Sequence, residues 1–132
     1  MDYIKLLKEN NLKATPQRLT IVEELALNGH LNIDQIYKAL QDKFPSISLA
    51  TIYKNIHTML DISFLNEVKI PNKKSVYELH KEEHSHIVCS KCNMIVDINL
   101  DISPLLKEAS KISDFKLFES SVIFNGLCHN CK

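Results

Sequence analysis

Apolar residues in the first eighty positions recur mainly at helical spacing. Thr15 is a natural N-cap with Pro16 at the first helical position, and Asn28-Gly29 predicts the end of that helix. The expected inward face of this helix is Leu19, Val22 and Ala26. The pattern therefore predicts a first helix of about three turns.

Two further helices are predicted by their caps. Asn32, followed three residues later by Gln35, predicts a second helix that Pro45 ends, and Ser48 predicts the cap of a third. Their expected core faces are Ile33, Ile36, Tyr37, Leu40 and Phe44 in the second helix, and Leu49, Ile52, Ile56, Met59 and Leu60 in the third.

Strand-like runs follow the third helix. Phe64–Ile70 and Ser75–Leu79 are separated by a turn at residues 71–74, which predicts a β-hairpin. Three helices and a hairpin predict a winged helix-turn-helix. The outer side of the third helix carries Ala50, Thr51, Lys54, His57 and Thr58. This side is either an ordinary solvated surface or the face of a recognition helix in a DNA major groove.

The second part of the chain changes character after a polar run at residues 80–83, which indicates a hinge. Strands are predicted at His86–Cys89 and Met94–Ile98, a helix from Ser103, and a final strand-rich stretch at Phe115–Phe124. Both faces of the last stretch carry apolar side chains, so one face could meet a second protomer. About fifty residues form a thin core, which a metal and a dimer partner could supplement.

Composition narrows the class of protein. Of the 132 residues, 45% are hydrophobic and 24% charged, typical of an ordered globular chain. We find neither a membrane-spanning apolar run nor a signal-peptide core, which favours the cytoplasm. The formal net charge is zero, with ten Lys/Arg against nine Asp/Glu in residues 1–80. DNA binding would therefore depend on local placement, dimerisation or acquired cations rather than on bulk charge.

Cysteine and histidine spacing carries the most specific chemistry. Cys89, Cys92, Cys128 and Cys131 form two Cys-x-x-Cys pairs, the spacing of a closed tetrahedral zinc site. Two separate redox pairs are the alternative, and a reducing compartment disfavours it. The neighbouring His84-Ser85-His86, with nearby carboxylates, suggests a second and chemically different metal site. One closed and one mixed site favour a metal sensor.

Four segments, in register with one another, closely resemble the ferric uptake regulator (Fur) superfamily of bacterial metal-dependent repressors. They are Lys13–Arg18, Pro45–Asn55, His84–Cys92 and Cys128–Cys131. The resemblance implies an α+β chain that forms a homodimer on a palindromic operator in double-stranded DNA. It implies a winged-helix DNA-binding domain at 1–80, a hinge at about 79–83, and an α/β dimerisation and metal-binding domain at 84–132.

The resemblance also assigns metal ligands. The four cysteines match the structural zinc ligands. The regulatory ligands of the family match His30, Glu78, His84, His86 and Asp97. Three imidazoles and two carboxylates suit Fe(II) or Mn(II). Because His30 and Glu78 lie outside the C-terminal domain, one ion would tie both domains together. We expect one zinc and one regulatory metal per protomer.

The subtype depends on the carboxylates. Asp97 resembles the peroxide-sensing (PerR-type) members, in which Fe(II) reduces peroxide and the oxidant attacks a ligand histidine. His30 and His84 are then the expected oxidation targets, with His86 a further one. Glu78, however, stands where these sensors more often have Asp. The alternative is an iron-uptake repressor, or a zinc- or manganese-uptake repressor, without peroxide sensing.

The resemblance also implies which residues contact DNA. The resemblance gives Lys13 a minor-groove or phosphate contact and makes Tyr53 and Lys54 the best contacts from the third helix. The whole expected set is Lys13, Arg18, Ser48, Ala50, Thr51, Tyr53, Lys54 and Asn55.

Two other classes of protein remain to be considered. A metallohydrolase would need a general base or nucleophile separate from the metal ligands, and we find none in the sequence. We therefore expect no enzyme and no small-molecule substrate beyond metal and peroxide. A zinc-ribbon interaction module would need no second metal site.

Overall fold

The computed structural model describes residues 2–132 and divides into two compact units, one ending at Lys81 and one spanning Glu82–Lys132. The first unit contains four helices, α1 (Tyr3–Glu9), α2 (Pro16–Asn28), α3 (Ile33–Lys43) and α4 (Leu49–Asp61). Its strands are β1 (Leu31–Asn32), β2 (Leu65–Val68) and β3 (Val76–Leu79). They form an antiparallel sheet in the order β1-β3-β2. This is the predicted winged helix-turn-helix, with β2 and β3 as the wing.

Local hydrogen bonds explain where the helices begin. Thr15 accepts the Arg18 N–H and caps α2, with Pro16 in its first turn. Asn32 and Gln35 form a reciprocal capping box at α3, and Ser48 accepts the Thr51 N–H at α4. The three predicted caps are confirmed. Each satisfies backbone donors that the first helical turn leaves without an intrahelical partner.

The core of the first unit is one cluster drawn from all four helices and the sheet. Its fully buried members are Leu7, Ile21, Val22, Leu25, Ile36, Leu40, Ile52, Ile56 and Met59, each at most 1% exposed. The inward face of α2 was predicted incorrectly at Ala26, which is exposed. The buried ridge runs instead through Ile21, Val22 and Leu25. Leu49, at 39% exposure, is also outside the core.

The second unit is a three-stranded sheet and one helix. Its elements are β4 (Ser85–Cys89), β5 (Ile95–Ile98), α5 (Ser103–Ser113) and β6 (Ile123–Gly126). The central strand β4 runs antiparallel to β5 and parallel to β6. The predicted strand at Phe115–Phe124 is wrong for residues 115–122, which have no regular structure. Both edges of the central strand β4 are paired, and residues 115–122 add to neither outer edge of the sheet.

Turns with left-handed backbone follow α4 and the first cysteine pair. Ser63 has φ 58° and Asn93 has φ 65°. Asn tolerates this region well, whereas Ser63 adopts it at some conformational cost. Across the described residues, every helix falls short of the length and apolar character needed to cross a membrane. The mixed helical and sheet architecture confirms the predicted α+β class.

Candidate metal centres

Four cysteine sulfurs converge at one end of the second unit. The Sγ atoms of Cys89, Cys92, Cys128 and Cys131 all lie within 4.8 Å of one another. Cys89 closes β4, and the turn that follows returns Asn93 N–H to the Cys89 carbonyl at 2.9 Å. Cys92 and Cys128 sulfurs are 3.8 Å apart. Sulfurs bound tetrahedrally to zinc at about 2.3 Å are about 3.8 Å apart, so the spacing fits such an ion.

The electrostatics of the cluster favour anionic sulfur. Backbone N–H groups of Cys92 and Cys128 point at the Cys89 sulfur, at 3.5 and 3.4 Å. These donors lower the pKa of Cys89 to about 5. Hydrogen bonding with the Cys128 sulfur instead raises the pKa of Cys131 to about 12. The cluster therefore loses its first proton easily and its last with difficulty, as expected where four like charges need a cation.

A histidine–carboxylate pair lies in the first unit. His30 follows Gly29 and directly precedes β1, in which Leu31 pairs with Tyr77. Continuing that antiparallel register by one residue sets His30 opposite Glu78. Accordingly, His30 Nε2 is 3.9 Å from Glu78 Oε1. Glu78 is buried, and Lys81 Nζ lies 3.4 Å from its second oxygen.

Lys81 is a neighbour that the sequence alone did not reveal. Its ammonium neutralises part of the Glu78 charge, which matters because a buried carboxylate is costly without a cation nearby. The only signal in the sequence is its position three residues after Glu78, beyond the end of β3, where strand periodicity no longer predicts the direction of a side chain.

Two imidazoles and one carboxylate lie close together in the second unit. His86 and Asp97 are directly opposite in the β4–β5 register, and His86 Nε2 is 3.4 Å from Asp97 Oδ1. His84 Nε2 lies 3.5 Å from the same oxygen, and the two rings meet edge to face at 4.5 Å. The Glu82 carbonyl is 2.7 Å from His84 Nδ1 and orients that ring. Nε2 is then the ring nitrogen that can bind a metal.

The five candidate regulatory ligands thus form two half-sets, one in each unit. Each combines imidazole nitrogen with carboxylate oxygen and lacks sulfur. Such donors suit Fe(II), Mn(II) or zinc, whereas the four-cysteine cluster suits zinc or an iron–sulfur group. His80, which the sequence leaves near the hinge, is engaged elsewhere, since its Nδ1 lies 3.0 Å from Asn66 Oδ1.

The expected DNA-contact residues divide into two groups. Lys13, Ala50, Thr51, Tyr53 and Lys54 are exposed, and the last four share α4. Ser48 uses its side chain to cap α4. Arg18 and Asn55 are half-buried and hydrogen-bonded to each other, with Arg18 Nε donating to Asn55 Oδ1 at 3.0 Å. The structure therefore gives these two side chains internal partners that sequence spacing did not reveal.

A winged-helix unit, a small sheet unit with a four-cysteine cluster, and nitrogen–oxygen donor sets together define the class of metal-responsive transcription regulators. Comparison with known proteins supports that class. Residues 9–125 match the model of the Ferric uptake regulator family. Because this match covers most of the chain, the chain belongs to the ferric uptake regulator family. The members of this family are transcription regulators that bind metals and DNA as dimers.

Individual relatives sharpen the comparison. The peroxide-responsive repressor PerR of Staphylococcus saprophyticus is 33% identical over 133 residues, 99% of this chain and 90% of that protein. The crystal structure of the Campylobacter jejuni peroxide stress regulator is 35% identical with a TM-score of 0.72, covering 99% of this chain and all of that one. The Vibrio cholerae ferric uptake regulator is 30% identical with a TM-score of 0.76, covering 96% and 100%.

Proposed function

We propose that the chain is a metal-dependent, homodimeric repressor that senses peroxide and acts in the cytoplasm. The observation that carries the proposal is the His84, His86 and Asp97 cluster, a sulfur-free donor set built beside a separate four-cysteine site. In a metal sensor, a closed four-cysteine site can stabilise the fold while a separate histidine–carboxylate site binds the metal that regulates DNA binding. Similarity to peroxide-responsive repressors supports the peroxide interpretation.

The metals follow from the donors. We assign zinc to Cys89, Cys92, Cys128 and Cys131, one ion per protomer, because four thiolates at tetrahedral spacing form a closed site. We assign Fe(II) or Mn(II) to His30, Glu78, His84, His86 and Asp97, again one per protomer. The two carboxylates balance a divalent charge, and five harder donors suit these ions better than thiolate would.

The regulatory mechanism is a coupling of the two half-sets. In our proposal, residues 1–80 read DNA, residues 84–132 form the dimer, and residues 79–83 act as the hinge between them. His30 and Glu78 can share one ion with His84, His86 and Asp97 only in some settings of that hinge. Ligation therefore selects a binding-ready conformation by its differential affinity.

Peroxide would reverse that selection. Fe(II), held by His30, Glu78, His84, His86 and Asp97, would supply the electron that reduces peroxide, and the oxidant formed there would attack an imidazole of the same set. His30 and His84 are the proposed oxidation targets, with His86 a further candidate, because an oxidised imidazole is a poor ligand. Losing one ligand from either half-set removes the coupling between the two units, and repression ends.

Homodimerisation is proposed from the surface of the second unit. Leu105, Ile112, Phe115 and Phe118 are 63%, 78%, 68% and 93% exposed. Such a density of apolar side chains on a fifty-residue unit marks an interaction surface. A second copy of this chain would cover it and would set two α4 helices apart by the spacing of a palindromic operator.

DNA recognition is proposed for α4 and the loop before α2. Thr51, Tyr53 and Lys54 present donors and an aromatic ring, and Ala50 permits close approach to base edges. Because the net charge of the chain is zero, affinity would come from these few placed groups and from dimerisation.

The decisive experiment is a DNA-binding titration of the zinc-loaded dimer with Fe(II) and with Mn(II), before and after peroxide. We expect either ion to permit binding, and peroxide to abolish it only with Fe(II), with added oxygen on peptides containing His30 or His84. Asp97→Asn should lose metal-dependent binding while keeping its zinc. Asp42→Asn is the matched control, since it removes an exposed carboxylate on α3 of the first unit.

An iron-uptake repressor is the second candidate, favoured by Glu78 in place of the Asp more frequent in peroxide sensors and by similarity to the V. cholerae regulator. Zinc- or manganese-uptake repression differs only in the effector. Iron-loaded protein that keeps its DNA affinity after peroxide would support these alternatives and eliminate the peroxide sensor.

A further inference from the structure

Arg18 connects two separate parts of the first unit. Its Nε donates to Asn55 Oδ1 on α4 at 3.0 Å, and its Nη1 donates to the Lys13 carbonyl at 3.2 Å. The guanidinium is planar and donates in fixed directions, so two acceptors at these positions define its orientation. The loop before α2 is thereby joined to α4.

Asn55 is held from both sides of its amide. Its Nδ2 donates to the Thr51 carbonyl one turn earlier at 3.0 Å, which leaves Oδ1 to accept from Arg18. Arginine can only donate, so the amide orientation is determined by both partners. Both polar atoms of the Asn55 side chain are therefore engaged inside the protein.

The backbone at Lys13 is similarly restrained. Its carbonyl accepts from the Thr15 N–H at 2.9 Å as well as from Arg18. Thr15 Oγ1 in turn accepts the Arg18 backbone N–H at 3.3 Å. The Lys13 side chain itself is exposed to solvent. A cationic side chain on a rigid backbone loses less conformational entropy on binding than one on a loose loop.

We propose that Arg18 and Asn55 are positioning residues that hold Lys13 at a fixed place relative to α4, so that Lys13 contacts a DNA phosphate while α4 reads bases. The inference rests on the proposed DNA-binding function. It replaces the direct DNA contacts expected for Arg18 and Asn55 from sequence with an indirect role through Lys13.

The test is Asn55→Leu, which keeps the branching, the number of heavy atoms and the zero charge of the side chain while removing both hydrogen bonds. The probe is a duplex selected from a random-sequence pool by the metal-loaded wild-type dimer. We expect affinity to fall about tenfold, the scale of a lost hydrogen bond to a charged group. The slope of log affinity against log salt should also fall, by about 0.9 for each phosphate that the protein no longer neutralises. A neutral substitution that merely perturbed packing would leave that slope unchanged.

Lys13→Ala, combined with Asn55→Leu, gives a double-mutant cycle. Alone, it should lower the slope as much as Asn55→Leu, and the double variant should bind within about twofold of either single variant, since both act on the same phosphate interaction. Arg18→Lys keeps the charge, but one ammonium replaces a fork with two fixed directions, so it should behave like Asn55→Leu. Asn28→Leu is the matched control, because Asn28 makes the same bond to a carbonyl four residues earlier, at the far end of α2.

A measurement without DNA separates this proposal from the proposed function. In the full-length dimer, the Arg18 Nε–H should exchange slowly with solvent and should lose that protection in Asn55→Leu. Exchange as fast as that of a solvated arginine would overturn the positioning role even if DNA binding is confirmed. An unchanged salt slope in Asn55→Leu, or effects of Lys13→Ala and Asn55→Leu that multiply, would also overturn it. Should Asn55→Leu unfold, Arg18→Lys decides the same question.

Discussion

The two units of this chain are stabilised by different means. The first unit buries apolar side chains from four helices and a sheet in one cluster. In the second unit, Glu82–Lys132, the buried apolar residues are Val88 and Cys89, and α5 buries none of its own. Hydrophobic burial can account for the first unit, whereas in the second the proposed zinc and dimer partner would supply the stability that its thin core lacks. Most of the proposed metal ligands thus lie in the unit that buries less apolar surface.

The largest expected effect comes from Cys89→Ser. Structural zinc contributes on the order of 10–16 kcal/mol in small domains, far more than two buried apolar residues can. We expect residues 82–132 to lose protection from hydrogen exchange while the core of the first unit keeps it. Ser90→Ala, beside the cluster at an exposed position, is the control. Unchanged protection in the second unit would show that its sheet folds without the metal.

The second-largest expected effect comes from substitutions that disrupt the proposed dimer. Ile112→Ser combined with Phe118→Ser should give a monomer by sedimentation and should abolish tight binding to a palindromic duplex, because the shared surface then lacks two apolar anchors. Leu27→Ser, which alters a side chain 81% exposed in the first unit, should leave both unchanged. A double variant that remains dimeric would place the interface elsewhere.

A smaller effect is expected from Ile56→Ala in the core of the first unit. Ile56 is fully buried, so truncation should lower the free energy of unfolding of this unit by about 2–5 kcal/mol. Zinc content and protection in the second unit should not change if the two units are stabilised independently. Chemical denaturation of the zinc-loaded protein, followed separately in each unit, measures both. Release of zinc by this variant would contradict that independence.

The smallest expected effect is on the pH at which the zinc-loaded protein releases its metal. Backbone N–H groups of Cys92 and Cys128 lower the pKa of Cys89 to about 5, so this sulfur stays anionic, and able to bind zinc, until the pH falls towards 5. We therefore expect a chromogenic zinc chelator to detect release only as the pH approaches that value. Release already near the ordinary thiol pKa would contradict this arrangement.

Local chemistry explains what could be predicted from sequence. The caps at Thr15, Asn32 and Ser48 depend on partners within three residues, so their types and spacing suffice. The cysteine pairs are likewise local. The seven-residue helix α1 and the two-residue strand β1 were missed because neither is long enough to show a period, and β1 exists only by pairing with β3.

Non-local pairing explains the rest. The opposition of His30 and Glu78 follows from the β1–β3 register, which the sequence does not encode in any short window. The same is true of Arg18 and Asn55, thirty-seven positions apart. The incorrect strand at residues 115–122 has the apolar pattern of a strand, but a pattern does not specify a pairing partner, and none of the described strands pairs with it. Whether the regulatory ligands share an ion stays a prediction from donor chemistry and family resemblance.

One five-residue strand carries ligands of both proposed metal sites. On β4, His86 lies opposite Asp97, and Cys89 follows three residues later on the other face. Anchoring the cysteine end also fixes the register that sets imidazole against carboxylate. The metals should therefore load in a fixed sequence, zinc before the effector ion. A cell starved of zinc would then accumulate chains unable to answer either iron or oxidant, whatever the supply of both.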